Sequence, residues 1–172
     1  QSAAAAKALG IREPYHLGLA DNRFDTVPLL DVIKRVEGVI REVKPELVIT
    51  HHGGDLNIDH RITFQAVLTA VRPQPASSVR DLWAFEVLSS TEWAFGQLGK
   101  VFTPNLFLDI SSTMSRKLAA MAEYAAEKRD YPHPRSDQAI RALARYRGCQ
   151  SGCTLAEAYE QVQPMVKRVK DN

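Results

Sequence analysis

Two cysteines, Cys149 and Cys153, are all that this 172-residue chain contains. They stand in "GCQSGC", which is neither a CxxC redox motif nor half of a paired zinc site, so free thiols in a reducing compartment and a cytoplasmic protein are expected. No apolar run approaches the ~20 residues of a membrane span, and no signal-peptide pattern is visible, which argues against a membrane partner. Neither sign of charge dominates: 22 Lys and Arg against 20 Asp and Glu leave a net charge of +2. The basic residues are scattered, so nothing calls for nucleic acid. Internal repeats, low-complexity tracts and linkers are also missing. With 45% hydrophobic and 24% charged residues, the chain reads as one globular domain spanning 1–172.

The elements that are present alternate. "QSAAAAKALG" predicts a helix stopped by Gly10. "PYHLGL" predicts a short strand, followed by the polar turn "ADNRFD". Leu29, Ile33, Val36, Ile40 and Val43 recur at helical spacing up to Pro45. "ELVIT" is a β-branched strand, and a helix is expected from Asp59 to Arg72 before Pro73. "DLWAFEVL" and "NLFLDI" are strand candidates. "SSTMSRKLAAMAEYAAEKR", "SDQAIRALARYRG" and "TLAEAYEQV" are read as helices, the last opened by a Thr154/Glu157 capping box. Strands alternating with helices predict an α/β fold with a mainly parallel sheet.

Three of the five histidines and two aspartates crowd into "VITHHGGDLNIDHRITF", residues 48–64. Ligands of open α/β sheets gather at the carboxyl ends of strands. His51 and His52 stand at such an end, and Asp59-His60 opens the next helix. A histidine in a first helical turn is favoured as neutral imidazole, the metal-binding form. Asp59 can orient a ring, as carboxylates behind metal ligands do. Each residue also has a plainer reading: Asp59 as a helix cap, the histidines as a polar strand end, the glycine pair as a turn. Together, at a strand-to-helix switch, they favour a site.

"THHGGDLNIDHR" resembles the second signature of the LmbE/PIG-L family of zinc-dependent N-deacetylases. "AAKALGI", "LADNRFD", "AVLTAVRP", "FEVLSSTEW", "TPNLFLDIS", "YPHPRS" and "RGCQSGCTLAEAYE" match in order, so the likeness runs over essentially the whole chain. It implies a Rossmann-like three-layer sandwich with one zinc ion, removing acetyl groups from N-acetylated sugars or glycoconjugates. It also implies that His60 is a zinc ligand and Asp59 its supporting carboxylate. Asn57 stands where many members have a histidine; it can donate a hydrogen bond but not a proton, and His51 or His52 is a candidate to take over that duty. Asp21, Asn22, Arg23 and Asp55 are candidate substrate contacts, although a plain turn explains Asp21 and Asn22 equally well. Arg135 is read either as a substrate or interface contact or as part of a polar loop before a helix.

The family's first signature, A-H-P-D-D-E, which supplies two more ligands and the general base, has no counterpart before "QSAAAAKALGI". The resemblance therefore implies an N-terminally incomplete domain, with zinc weak or absent. Unpaired strand edges and apolar faces would drive homo-oligomers. Three readings follow: an N-acetyl-sugar deacetylase of which this is an inactive fragment, a non-catalytic binding or assembly domain on the same fold, and a metal-dependent phosphoesterase, for which carboxylates are scarce.

Overall fold

The computed structural model describes residues 1–75 and 77–163. The chain is α/β, with five α-helices and four strands among the described residues, and it divides into two compact units. One comprises Gln1–His16 and Leu106–Ala158; the other comprises Leu17–Asn105 and the chain from Tyr159.

In the second unit, β1 (Leu47–His51) pairs parallel with β2 (Asp81–Phe85), from Leu47 opposite Asp81 to His51 opposite Phe85. β2 pairs antiparallel with the Tyr159–Gln163 part of β4 (Ala156–Gln163). The sheet is therefore mixed. α2 (Leu29–Val43) packs on α3 (Ile58–Ala70), and α3 packs on β1. Val67, Val71, Val79 and Leu82 form one core cluster, with Val36, Ile40, Val48 and Val162 against it. Val32, Ile33 and Ala66 form a second. Of the expected stripe on α2, the middle residues serve these cores, while Leu29 and Val43 are exposed. Leu82 is fully buried, so truncating it to Ala would cost about 2–5 kcal/mol.

In the first unit, α1 (Ser2–Leu9) ends at Gly10, whose φ of 73° is the left-handed stop the sequence predicts. α1 packs on α4 (Met114–Ala122), and α5 (Asp137–Ser151) packs on β3 (Leu106–Asp109). Ser136 caps α5 by accepting the Ala139 N–H at 3.1 Å. Cys149 and Cys153 are free thiols. No helix of the described residues is long and apolar enough to cross a membrane.

Three sequence expectations are corrected. "PYHLGL" forms no strand, because Gly18 turns the chain with a φ of 66°. The helix expected over "SSTMSRKLAAMAEYAAEKR" stops at Ala122. Beyond it, Glu127 and Lys128 turn back on the Tyr124 carbonyl, while Glu127 pairs with Arg135 and Lys128 with Asp137; these contacts override the helix preference of the alanines. "TLAEAYEQV" is not a helix but most of β4. Glu157, expected to close a capping box, pairs with Lys117, and the Leu155 N–H donates to Ser111 Oγ.

Candidate active site at the carboxyl end of the first strand

β1 delivers His51 and His52 to the edge where parallel strands place ligands. Its pairing runs on past the strand, since the His52 N–H donates to the Phe85 carbonyl at 3.1 Å. The chain then turns through Gly53-Gly54. Gly54 is required by close approach: a Cβ there would lie 2.5 Å from the Lys100 carbonyl oxygen and 2.9 Å from His52 Nε2. Asn57 caps α3, its Oδ1 accepting the Asp59 N–H at 2.8 Å.

Asp55 is the hub of the turn. Its carboxylate faces His60 Nδ1 at 3.0 Å, and accepts the Asn57 N–H at 2.9 Å, the Thr91 hydroxyl at 2.7 Å and the Ser90 hydroxyl. Burial alone would raise its pKa, but the hydrogen bonds from His60, Ser90, Thr91 and Asn57 outweigh it and hold the carboxyl at about 2. His60 lies in the first turn of α3 with Nδ1 committed to this carboxylate, which leaves Nε2 for a ligand or a proton. Its ring stacks on that of His51, centroids 4.0 Å apart and planes 15° from parallel. Burial, and then the nearby His60, push His51 down to about 4, so it is neutral at neutral pH. His51 Nδ1 is buried without a hydrogen-bond partner.

This geometry redistributes the roles expected from sequence. Asp59 does not orient His60; its carboxylate accepts the backbone N–H groups of Asn22 (2.6 Å) and Phe24 (3.0 Å) and so fastens the "DNR" turn to the start of α3. The ring-orienting carboxylate is Asp55, which is fully buried and has no surface for the substrate contact expected of it. His52 is also committed: Nδ1 meets Glu160 Oε2 at 2.8 Å and Nε2 meets the Lys100 carbonyl at 2.7 Å, with 4% of the residue exposed. A ring between two acceptors is a structural clamp rather than a proton donor to substrate. Asn57 spends Oδ1 on the cap, and its Nδ2 donates to Asn22 Oδ1 at 3.4 Å. Asp21, Asn22 and Arg23 are exposed, with Asp21 accepting from Asn22 Nδ2 at 3.3 Å. Arg135 belongs to the first unit, where its guanidinium pairs with Glu127.

Several residues that build the site were given no role from sequence. Ser90 and Thr91 lie in "FEVLSSTEW", Glu160 lies in the strand taken for a helix, and Arg61 donates to the carbonyls of Asp55 (2.7 Å) and Leu56 (2.6 Å). The signal for Arg61 was available in "DHR", one residue beyond the expected ligand.

The donor set is short for a metal. A catalytic zinc takes three protein ligands, and among the described residues no group of three or more His, Cys, Asp or Glu is placed to hold an ion. The stacked His51 and His60 rings direct their in-plane lone pairs along near-parallel planes instead of onto one point. The described residues therefore do not fit a complete zinc site.

A PIG-L family model, described as GlcNAc-PI de-N-acetylase, matches residues 1–71. That match covers less than half of the chain. The likeness of the chain extends at 26% identity over 126 residues, 72% of the chain, to a Bacillus cereus protein described as probable N-acetyl-alpha-D-glucosaminyl L-malate deacetylase 2. The chain spans about half the length of that relative, 54%. Two solved structures share the fold. The N,N'-diacetylchitobiose deacetylase of Pyrococcus horikoshii has a TM-score of 0.64 at 20% identity, covering 92% of this chain and 60% of that one. The 4-carboxy-2-hydroxymuconate hydratase of Pseudomonas putida has a TM-score of 0.67 at 23% identity, covering 98% and 72%. The shared fold thus occurs with more than one named activity, and the likeness to these structures is one of fold.

Proposed function

We propose that the chain carries part of the site of an amide hydrolase that removes acetyl from an N-acetylated sugar or glycoconjugate of the N-acetylglucosamine type, with 1–172 working as one domain. The observation that carries this reading is the Asp55–His60 pair, 3.0 Å apart at the start of α3. Support comes from the Bacillus cereus relative and the PIG-L match. Amide hydrolysis needs a group that takes a proton from the attacking water and a donor for the leaving amine. Asp55 stays ionised at working pH, holds the Nδ1–H tautomer of His60, and directs the Nε2 lone pair to the open side. Neutral His51, stacked against it, adds no repulsion when His60 takes up a proton. The half-buried Asn57 amide and the exposed Asp21–Arg23 turn, held beside it through Asp59, are the proposed contacts for sugar hydroxyls.

A second reading has its own observation. No group of three or more ligands is assembled among the described residues, which favours a domain that binds the same sugar without turning it over. Acetate release from an N-acetylglucosaminide, followed with and without zinc, separates the two. The hydrolase reading expects release that His60→Ala lowers at least about 100-fold. Saturable binding of the sugar with no acetate released hands the site to the second reading. Release unaffected by His60→Ala removes His60 from the chemistry.

A further inference from the structure

Two buried titratable side chains, His52 and Glu160, take no part in the proposed chemistry. His52 is 4% exposed and Glu160, on β4, is 7% exposed. Both ring nitrogens of His52 face acceptors at short range: Nδ1 lies 2.8 Å from Glu160 Oε2, and Nε2 lies 2.7 Å from the Lys100 carbonyl oxygen. A neutral imidazole has one N–H and one lone pair, so either tautomer would aim a lone pair at an oxygen. Hydrogens on both ring nitrogens satisfy the two contacts at once. The other place for the second hydrogen is Glu160 itself. Its Oε1, however, accepts the Thr103 N–H at 2.6 Å and lies 3.5 Å from Lys100 Nζ, so donors meet both of its oxygens, the arrangement of a carboxylate acceptor. The Phe102 ring stands beside the pair, 5.4 Å from the His52 ring and nearly perpendicular to it. The geometry is that of a buried imidazolium–carboxylate pair.

A buried ion pair is seldom the most stabilising way to fill a core; what it supplies is direction. Here the direction is toward the candidate site. Glu160 and His52 together hold the segment 100–103 at the Lys100 carbonyl, Lys100 Nζ and the Thr103 N–H. That segment in turn lies against the Gly53–Gly54 turn. A Cβ on Gly54 would stand 2.5 Å from the Lys100 carbonyl oxygen, and a Cβ on Gly99 would stand 3.3 Å from Gly54 Cα. The backbone of His52 is tied to the same turn, its N–H donating to Phe85 and its carbonyl accepting the Asp55 N–H at 3.4 Å. Asp55 is the carboxylate that holds His60.

We infer that His52 and Glu160 are positioning residues: their ion pair clamps the segment 100–103 on the Gly53–Gly54 turn and so sets Asp55 against His60. The consequence for hydrolysis rests on the reading of the Asp55–His60 pair given above; the clamp itself does not. Both residues are too buried to meet a substrate. Glu160→Gln is the informative replacement. An amide there can accept the Thr103 N–H through Oε1 and donate through Nε2 to His52 Nδ1. Its clamp needs no second hydrogen on the ring, so geometry and charge come apart.

The test is NMR of the histidine ring nitrogens in the full chain at neutral pH, which tells an imidazolium from each neutral tautomer. The wild type should show His52 with hydrogens on both nitrogens, and His60 as the Nδ1–H tautomer that Asp55 selects. Glu160→Gln should convert His52 to the neutral Nε2–H form and leave the His60 spectrum as it was. Glu160→Ala should release the clamp: His60 becomes a mixture of tautomers, and the Thr103 N–H exchanges faster with solvent. Acetate release should fall about tenfold or more, the scale of a small misplacement. Leu82→Ala, which weakens the same unit through its core, controls for stability alone and should leave the His60 spectrum unchanged. A neutral His52 in the wild type, or one that keeps both hydrogens in Glu160→Gln, would overturn the ion pair. A His60 spectrum that Glu160→Ala leaves unchanged, or that Leu82→Ala disturbs as much, would overturn the positioning role. If Glu160→Ala does not fold, Glu160→Asp, which keeps the charge and shortens the reach, takes its place with the same outcomes. The spectra need no turnover, so a chain that shows every expected signature and releases no acetate keeps the clamp and loses the hydrolase reading.

Discussion

The two compact units bury different things. Of the nine buried polar residues among those described, eight (Thr50, His52, Asp55, Asp59, Asp81, Ser89, Ser90 and Glu160) belong to the second unit, and one, Ser136, belongs to the first. Ser136 is a helix cap, whose job is complete once the Ala139 N–H is satisfied. Of these, His52, Asp55, Asp59, Ser90 and Glu160 are linked through carboxylates, histidine rings and backbone groups of the β1–α3 junction and its neighbours, Asp81 accepts from Gln161, and the Thr50 hydroxyl is buried without a partner. Burying a polar group is costly unless it is partnered. The first unit is therefore held by packing, and the second carries a polar network that exists to place particular atoms. The first unit answers to propensity and apolar contact, the second to geometry.

The sharpest way to break that contrast is to remove the hub. Asp55→Ala deprives the Asn57 N–H, the Ser90 and Thr91 hydroxyls and His60 of one acceptor at once. Removing one partner of a buried charged network costs about 3–5 kcal/mol, so the urea midpoint should fall steeply or the second unit should fail to fold. Ser136→Ala in the first unit is the control and should cost about 1 kcal/mol, the value of a lost cap. Equal losses from the two substitutions would erase the distinction between the units.

Acid offers a graded version of the same break. Asp55 has its folded pKa lowered from 3.8 to about 2, so its contribution is present above about pH 4 and is lost as pH falls through 2; the drop amounts to about 2 kcal/mol. His51 is lowered from 6.5 to about 4. The unfolded chain takes up that proton first, so stability falls between pH 6.5 and 4 and levels off below. Urea unfolding across pH should thus show an upper step that His51→Phe removes, and a lower step that persists in that variant. A single step that His51→Phe leaves in place would contradict both assignments.

What the sequence made legible follows the same division. α1, α2, α3 and α5 were readable because periodicity, Gly10, Pro45 and Ser136 act locally. β4 was not, since "TLAEAYEQV" has a helix former's composition and becomes a strand only by pairing with β2, far off in sequence. In the site, the location was legible from "HHGGDLNIDH", because a strand end followed by a helix start is a local signal. The roles were not. That Asp55 rather than Asp59 holds His60, and that His52 is clamped by Glu160, depend on contacts over 5 and 108 residues of separation that no local pattern records. The likeness to a family placed weight on Asp59, and the hydrogen bonds from Asn22 and Phe24 show where that carboxylate is spent.

The smallest expected effect is on metal binding, and it sharpens the comparison at the level of single histidines. His60 has the form of a zinc ligand, with Nδ1 held by a carboxylate and Nε2 left over, an arrangement that raises ligand basicity and fixes the ring. His16, in the first unit, is an exposed ring whose Nε2 lies 3.4 Å from the Ser2 hydroxyl. One oriented imidazole is still far from the three protein ligands of a catalytic zinc, and the His51 ring stacked on it does not converge on the same point. The chain should therefore take up zinc weakly and release it on dialysis against a mild chelator. His60→Ala should abolish the uptake and His16→Ala should leave it intact, as read by calorimetry or by metal analysis after dialysis. Zinc retained at one ion per chain would mean that donors outside the described residues complete the site, and uptake lost equally in both variants would mean that His60 has no privilege over a surface histidine.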